Sequence, residues 1–124
     1  MDTVTIYLPG STDVVVQGFT NAAYSQRITI TPSNGAPVVF TGAGEANTPI
    51  GTTHFTTPSG TDVPLTVSIA HSKDNGRSWI PSDIYSDRCN VQALQLEVIV
   101  SEDLADEDYN DAVCFVSWPQ STGS

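Results

Sequence analysis

Val98-Ile99-Val100-Ser101-Glu102-Asp103-Leu104-Ala105-Asp106-Glu107-Asp108-Tyr109-Asn110-Asp111-Ala112-Val113-Cys114-Phe115-Val116 decides how the rest of the chain is read. Apolar, β-branched residues stand at both ends. Between them six carboxylates (Glu102, Asp103, Asp106, Glu107, Asp108 and Asp111) crowd into ten positions without a Lys or Arg among them. Like charges near 4 Å repel by about 1 kcal/mol per pair even at the dielectric of water. A solvated acidic tail has no reason to sit between two buried strands, whereas a hard cation turns the repulsion into binding energy. Ca²⁺ takes six to eight oxygens from carboxylates, amides and backbone carbonyls, and Asp106-x-Asp108-x-Asn110-Asp111 supplies them.

The EF-hand comparison fails. Asp106, Asp108 and Asn110 fit its first, third and fifth positions, but Asp111 replaces the sharp-turn Gly and Ser117 the closing Glu. The flanks read as strands, so the motif is a strand–loop–strand metal site. Two blander readings stand beside it: an acidic surface loop that binds nothing, and an ion that only staples the loop.

The same period of two runs through the chain. Val4, Ile6 and Leu8 alternate with Thr5 and Tyr7, and Val14 and Val16 flank Val15. Ile28 and Ile30 alternate with threonines, and Leu65, Val67 and Ile69 with Thr66 and Ser68. Leu94, Leu96, Val98 and Val100 alternate with Gln95, Glu97 and Ile99. Such alternation marks strands with one buried face. Pro32-Ser33-Asn34-Gly35, Pro58-Ser59-Gly60 and Asp74-Asn75-Gly76 punctuate them, and the last suits a hairpin because Asn-Gly tolerates positive φ. Nothing has helical periodicity with caps. The pattern predicts an all-β fold, an antiparallel β-sandwich of Greek-key-like type with the acidic loop at one end. Asp83–Asn90 reads as an elaborated loop.

At 124 residues and 13.2 kDa, the expectation is a single domain over residues 1–124. Four Lys and Arg against 14 Asp and Glu give a net charge of -10, which disfavours nucleic acid and anionic membranes as partners. No apolar run approaches the ~20 residues of a membrane span. Met1-Asp2-Thr3 lacks the basic start and apolar run of a cleaved leader. The expected localisation is therefore cytoplasmic when made, or export without a cleaved signal. Cys114 reads as a small buried hydrophobe and Cys89 lies in a polar segment; a disulfide between them is left open. His54 and His71 have no partner at zinc-ligand spacing. No nucleophile elbow or triad signature appears, and carboxylates within one loop do not face each other across a glycosidase cleft. Tyr109 suits either sugar stacking or anchoring of its loop, and Trp79 and Trp118 read as core or interface aromatics.

Ser101-Glu102-Asp103, Asp106, Asp108-Tyr109-Asn110-Asp111-Ala112-Val113 and then Trp118-Pro119 closely resemble the C-terminal signature of the soluble two-calcium fucose/mannose-binding lectins of bacteria. Leu8-Pro9, Phe19-Thr20-Asn21-Ala22-Ala23, Phe40-Thr41-Gly42 and Ile50-Gly51-Thr52 resemble that family's N-terminal part, with an insertion around residues 71–93.

The resemblance implies the same sandwich and a calcium-dependent lectin without catalysis that acts outside the cell. Its cofactor would be two Ca²⁺ ions. Glu102, Asp106, Asp108 and Asp111 would hold one ion, and Asn21, Asp108, Asn110 and Asp111 the other. Asp103 would accept a hydrogen bond from a sugar hydroxyl. Ala22, Ala23 and Tyr24 would form the loop that sorts fucose from mannose, with Glu45 beside it. An Ala first in that loop goes with mannose. The expected partners are mannose- or fucose-containing glycans. The family's chain ends on a Gly whose carboxylate completes a calcium site in a partner subunit. Here that Gly falls at Ser121 and the chain continues to Ser124, so the exchange and its homodimer are not implied in their usual form. The rival reading is a structural calcium-binding β-sandwich domain of an adhesin or carbohydrate-active enzyme.

Overall fold

A computed structural model describes residues 3–102 and 111–119. The strands are β1 (Thr3–Leu8), β2 (Asp13–Pro32), β3 (Val38–Thr56), β4 (Val63–Ser72), β5 (Ile80–Pro81), β6 (Asp83–Val91), β7 (Leu94–Glu102) and β8 (Ala112–Pro119). All pairings are antiparallel. The main path is β1-β4-β2-β8-β7-β6, with β3 on β2 and β5 on β4. Its two edges approach each other, where Arg88 Nη2 of β6 donates to the Tyr7 carbonyl of β1 at 3.2 Å. The sheet thus curls into the nearly closed, sandwich-like fold that the alternating pattern predicts.

The long β2 strand positions the site. Val15–Thr20 pair with β8 and Ser25–Pro32 pair with β4, while β3 runs alongside both halves. Between the halves lie Asn21, Ala22, Ala23 and Tyr24, where the register against β3 shifts on both sides of Ala22. A strand that changes partners must bend, and bulges are where antiparallel ladders accommodate this. The corner stands at the end of the fold where β7 finishes and β8 begins.

Inward residues from every long strand make one core: Ile6, Leu8, Val14, Val16, Ile28, Ile30, Leu65, Val67, Ile69, Ile99, Cys114 and Val116 among them. Phe40 covers a glycine pair, since Gly18 and Gly51 are register partners. A Cβ built on Gly51 would lie 2.3 Å from the Phe40 ring. Gly51→Ala is expected to lose about 1–3 kcal/mol by overpacking, and urea denaturation with an unchanged midpoint would contradict the contact.

Two sequence expectations change. Asp83–Asn90 lies in a strand, β6, not in an elaborated loop. It buries Ile84 and exposes Arg88, Cys89 and Asn90, as a charged edge strand does to discourage further pairing. The period of two in β7 holds with the faces exchanged: Glu97, Ile99 and Ser101 point inward, and Leu94 is exposed. The Arg88 Nε–Glu97 Oε1 ion pair at 3.0 Å lets the carboxylate turn in, while outward Val98 and Val100 pair with Phe115 and Val113. Of the two aromatics read as core or interface, Trp118 is core, and Trp79 is half-buried and carries Arg27 on its ring. The open disulfide question resolves to two free thiols, Cys89 exposed and Cys114 buried; burial pushes the Cys114 thiol up to about 12. The Asp74-Asn75-Gly76 turn forms with positive φ at Asn75 and Gly76.

Candidate functional site

Buried polar side chains collect at the end where β2 changes partners. Thr20, Gln26, His71, Ser72, Ser82, Ser101, Glu102 and Asp111 are all at most 5 % exposed. Their strands bring them together: Gln26 is opposite His71, Ser25 opposite Ser72, and Asp83 opposite Glu102. Buried polar groups are costly unless paired, and several pairs are visible. His71 Nδ1 and Ser82 Oγ are 2.8 Å apart. Gln26 Nε2 donates to the Tyr24 carbonyl at 3.2 Å, so a side chain of the polar layer holds the corner loop from beneath.

The two described residues of the acidic run lie within this layer. Glu102 ends β7 at 2 % exposure, and Asp111 precedes β8 at 5 %. The strand ends are clamped independently of their carboxylates. Asp111 N donates to the Ser101 carbonyl at 3.0 Å. Ser101 Oγ accepts from Ala112 N at 3.0 Å and donates to the Ala112 carbonyl at 3.2 Å. Asn21 N then donates to the Asp111 carbonyl at 2.9 Å. The corner of β2 and the end of the acidic run are therefore joined through the backbone.

Asn21 meets the described end of the acidic run, Asp111, through its main-chain N–H. Its carboxamide turns to the β3 corner, where Nδ2 donates to Asn47 Oδ1 at 2.8 Å and Oδ1 accepts from Asn47 N at 2.6 Å. Asn47 is a supporting residue that the sequence reading missed. Its only signal was the small-residue run Gly42-Ala43-Gly44-Glu45-Ala46-Asn47. Gly44, Ala46 and Asn47 adopt positive φ there, a conformation Gly and Asn tolerate best. Thr20 Oγ1 anchors the same turn by donating to the Gly44 carbonyl at 2.9 Å.

Ala22 is buried opposite Gly44, whereas Ala23 and Tyr24 are exposed. Glu45 is exposed on the neighbouring turn, so the structure brings it beside the Asn21–Tyr24 corner. Lys73 Nζ stands 5.9 Å from the Tyr24 ring centroid. Asp103, Asp106, Glu107, Asp108, Tyr109 and Asn110 lie outside the described residues. Among the described residues no three His, Cys, Asp or Glu gather as a metal site; His54 is exposed and His71 faces Ser82. Glu102 and Asp111, the two described carboxylates of the run, offer oxygen donors of the kind a hard divalent cation takes.

Solved structures of known proteins share this fold. A Ralstonia solanacearum high-affinity mannose-binding lectin is 31% identical, with TM-score 0.73, over 94% of this chain and 96% of that one. The Chromobacterium violaceum lectin CV2L, solved with α-methyl-fucoside, is 27% identical with TM-score 0.72 over the same shares. The C-terminal domain of the Burkholderia cenocepacia lectin BC2L-C is 28% identical with TM-score 0.70, again over 94% and 96%. Among curated proteins none matches the sequence. The sequence profile of fucose-binding lectin II (PA-IIL) matches residues 6–120, a span that includes the β2 corner and the whole acidic run. The chain belongs to the fucose-binding lectin II (PA-IIL) family and is a carbohydrate-binding lectin, not an enzyme.

Proposed function

We propose that the chain binds mannose- and fucose-type monosaccharides through two Ca²⁺ ions held by Asn21, Glu102, Asp106, Asp108, Asn110 and Asp111. The observation that carries this reading is the pair of buried carboxylates, Glu102 and Asp111, fastened by backbone hydrogen bonds to the Asn21 corner. Bound calcium supplies Lewis-acidic positions at which vicinal sugar hydroxyls replace water. The protein does the rest. The carboxylates accept the hydroxyl protons as hydrogen bonds, Asp103 accepts a further one, and the clamped corner fixes the geometry before sugar arrives. Asp108 and Asp111 would serve as ligands common to both ions. Two relatives, by their own descriptions a mannose-binding lectin and a fucoside complex, support both sugars as candidates.

Preference follows from the corner loop. Ala22 offers a buried methyl and no hydroxyl, so a fucose-specific hydrogen bond worth roughly 0.5–1.5 kcal/mol is missing. Exposed Glu45 on the adjoining turn can accept a hydrogen bond from a hydroxymethyl group but gains nothing from a methyl. D-Mannosides are expected to bind at least as tightly as L-fucosides. Calorimetric titration of methyl α-D-mannoside and methyl α-L-fucoside into calcium-loaded protein checks this, and a tenfold preference for the fucoside would refute the loop argument.

A further inference from the structure

The chain has four cationic side chains, Arg27, Lys73, Arg77 and Arg88. Arg88 pairs with Glu97. The other three lie on β2 and on the turn between β4 and β5, and none forms an ion pair among the described residues. That turn is rigidly built. Asp74 Oδ1 accepts from Ser72 Oγ at 2.7 Å and from Ser78 N at 2.9 Å, Asp74 Oδ2 accepts from Ser78 Oγ at 2.6 Å, and Gly76 N donates to Ser72 Oγ at 2.7 Å. Hydrogen bonds from Ser78 and Ser72 hold the Asp74 carboxyl at about 2. The acid nearest these cations in sequence is thus committed to its own turn, which presents Trp79 to the outer face of β2 and β4.

There Arg27 Cζ stacks 4.5 Å from the Trp79 ring centroid. The two line a pocket of about 230 Å³ with Thr3, Thr29, Ser68 and Pro81. Thr3, Ser68 and Thr29 are cross-strand partners, so their hydroxyls form a row across three strands beside the guanidinium. A stacked guanidinium keeps its N–H edge for a planar, bidentate acceptor, the geometry of a carboxylate. A row of hydroxyls matches a polyol. The volume lies below the roughly 300–1,000 Å³ of drug-sized sites, which suits one sugar ring. A single cation facing the pocket fits the single charge of a carboxylate.

We propose that this pocket is a second carbohydrate subsite, taking a carboxylate-bearing pyranose such as a uronic acid, with the carboxylate on Arg27 and the ring hydroxyls on Thr3, Thr29 and Ser68. It goes beyond the calcium-dependent reading and does not depend on it, because none of its residues belongs to the acidic run or the β2 corner. In a molecule of net charge -10, whose general field repels anions, selectivity for an acidic sugar has to be local.

The chain has two Trp residues, and Trp118 is 3 % exposed beneath Arg88, so its indole signal serves as an internal control. The experiment titrates methyl β-D-glucuronide into ¹⁵N-labelled, calcium-loaded protein saturated with methyl α-D-mannoside. The Trp79 indole resonance is expected to shift and the Trp118 resonance to stay. Methyl β-D-glucoside should leave both unmoved. Arg27→Gln should weaken the glucuronide response by at least about tenfold, and Arg27→Lys, which keeps the charge without the fork, should fall between. Equal shifts by glucoside and glucuronide, an undiminished response in both variants, or the same Trp79 shift at the same concentration of sodium acetate would overturn the assignment. Mannoside binding, read from the amides of residues 21–24, reports separately on the calcium-dependent reading.

Discussion

Stripping calcium is expected to lower the melting temperature by roughly 15–20 °C and to abolish mannoside binding. Each ion at a hundredfold excess over its dissociation constant adds about 2.7 kcal/mol by mass action. Two ions add about 5.4 kcal/mol, and a domain of this size shifts by about 3–4 °C per kcal/mol. That energy is expected to act at the two ends of the acidic run. Glu102 and Asp111 are almost wholly withdrawn from water, and the run between them carries four more carboxylates without a cation. Without calcium, desolvation and mutual repulsion act together at the end of the β7–β8 pair. Calorimetric scans in calcium, in EDTA and after calcium is restored check the effect. A melting temperature that does not respond to EDTA, or sugar binding that survives it, would sink the two-ion mechanism.

The sequence showed the strands well because antiparallel sheets with one buried face write a period of two into the chain. Ile6, Leu8, Val14, Val16, Ile28, Ile30, Leu65, Val67 and Ile69 were legible for this reason and are all core. The same rule gave β7 the wrong face. Leu96, Val98 and Val100 outscore Glu97, Ile99 and Ser101 in hydrophobicity, yet Glu97 turns in through Arg88 and Ser101 through Ala112. An ion pair to a neighbouring strand and a hydroxyl clamp leave no trace in periodicity. β6 was invisible because an edge strand with one buried apolar residue, Ile84, does not alternate. At the site, the acidic run, Asn21 and the corner loop could be read as motifs. Asn47, Gln26 and Ser101 could not, because their work is to hold other backbone segments. Trp79 could be read only as a core or interface aromatic, because nothing in its sequence neighbourhood shows that Arg27 of β2 stacks on its ring.

That separation between residues that carry charge and residues that hold shape leads to the sharpest expectation about the site. Asp111 does both. Its N–H and carbonyl tie Ser101 to Asn21, while its buried carboxylate is the proposed bridge between two ions. Asp111→Asn keeps the backbone bonds and nearly the same volume and removes only the charge. Removing one partner of a buried charged pair costs about 3 kcal/mol or more, so calcium affinity is expected to fall roughly a hundredfold. Sugar binding should vanish at ordinary calcium and return at high calcium. Because the variant buries one carboxylate fewer, it should melt no lower than the parent in EDTA, and lower than the parent in calcium. Ser101→Ala makes the opposite change: it breaks the hydroxyl clamp to Ala112 without touching a charge, and should lower the melting temperature by a similar amount in both conditions. Titration calorimetry with calcium and paired melting scans of the two variants separate the effects. If Asp111→Asn binds calcium within tenfold of the parent, or loses as much stability in EDTA as in calcium, then Asp111 is a structural residue and the shared-ligand arrangement is wrong.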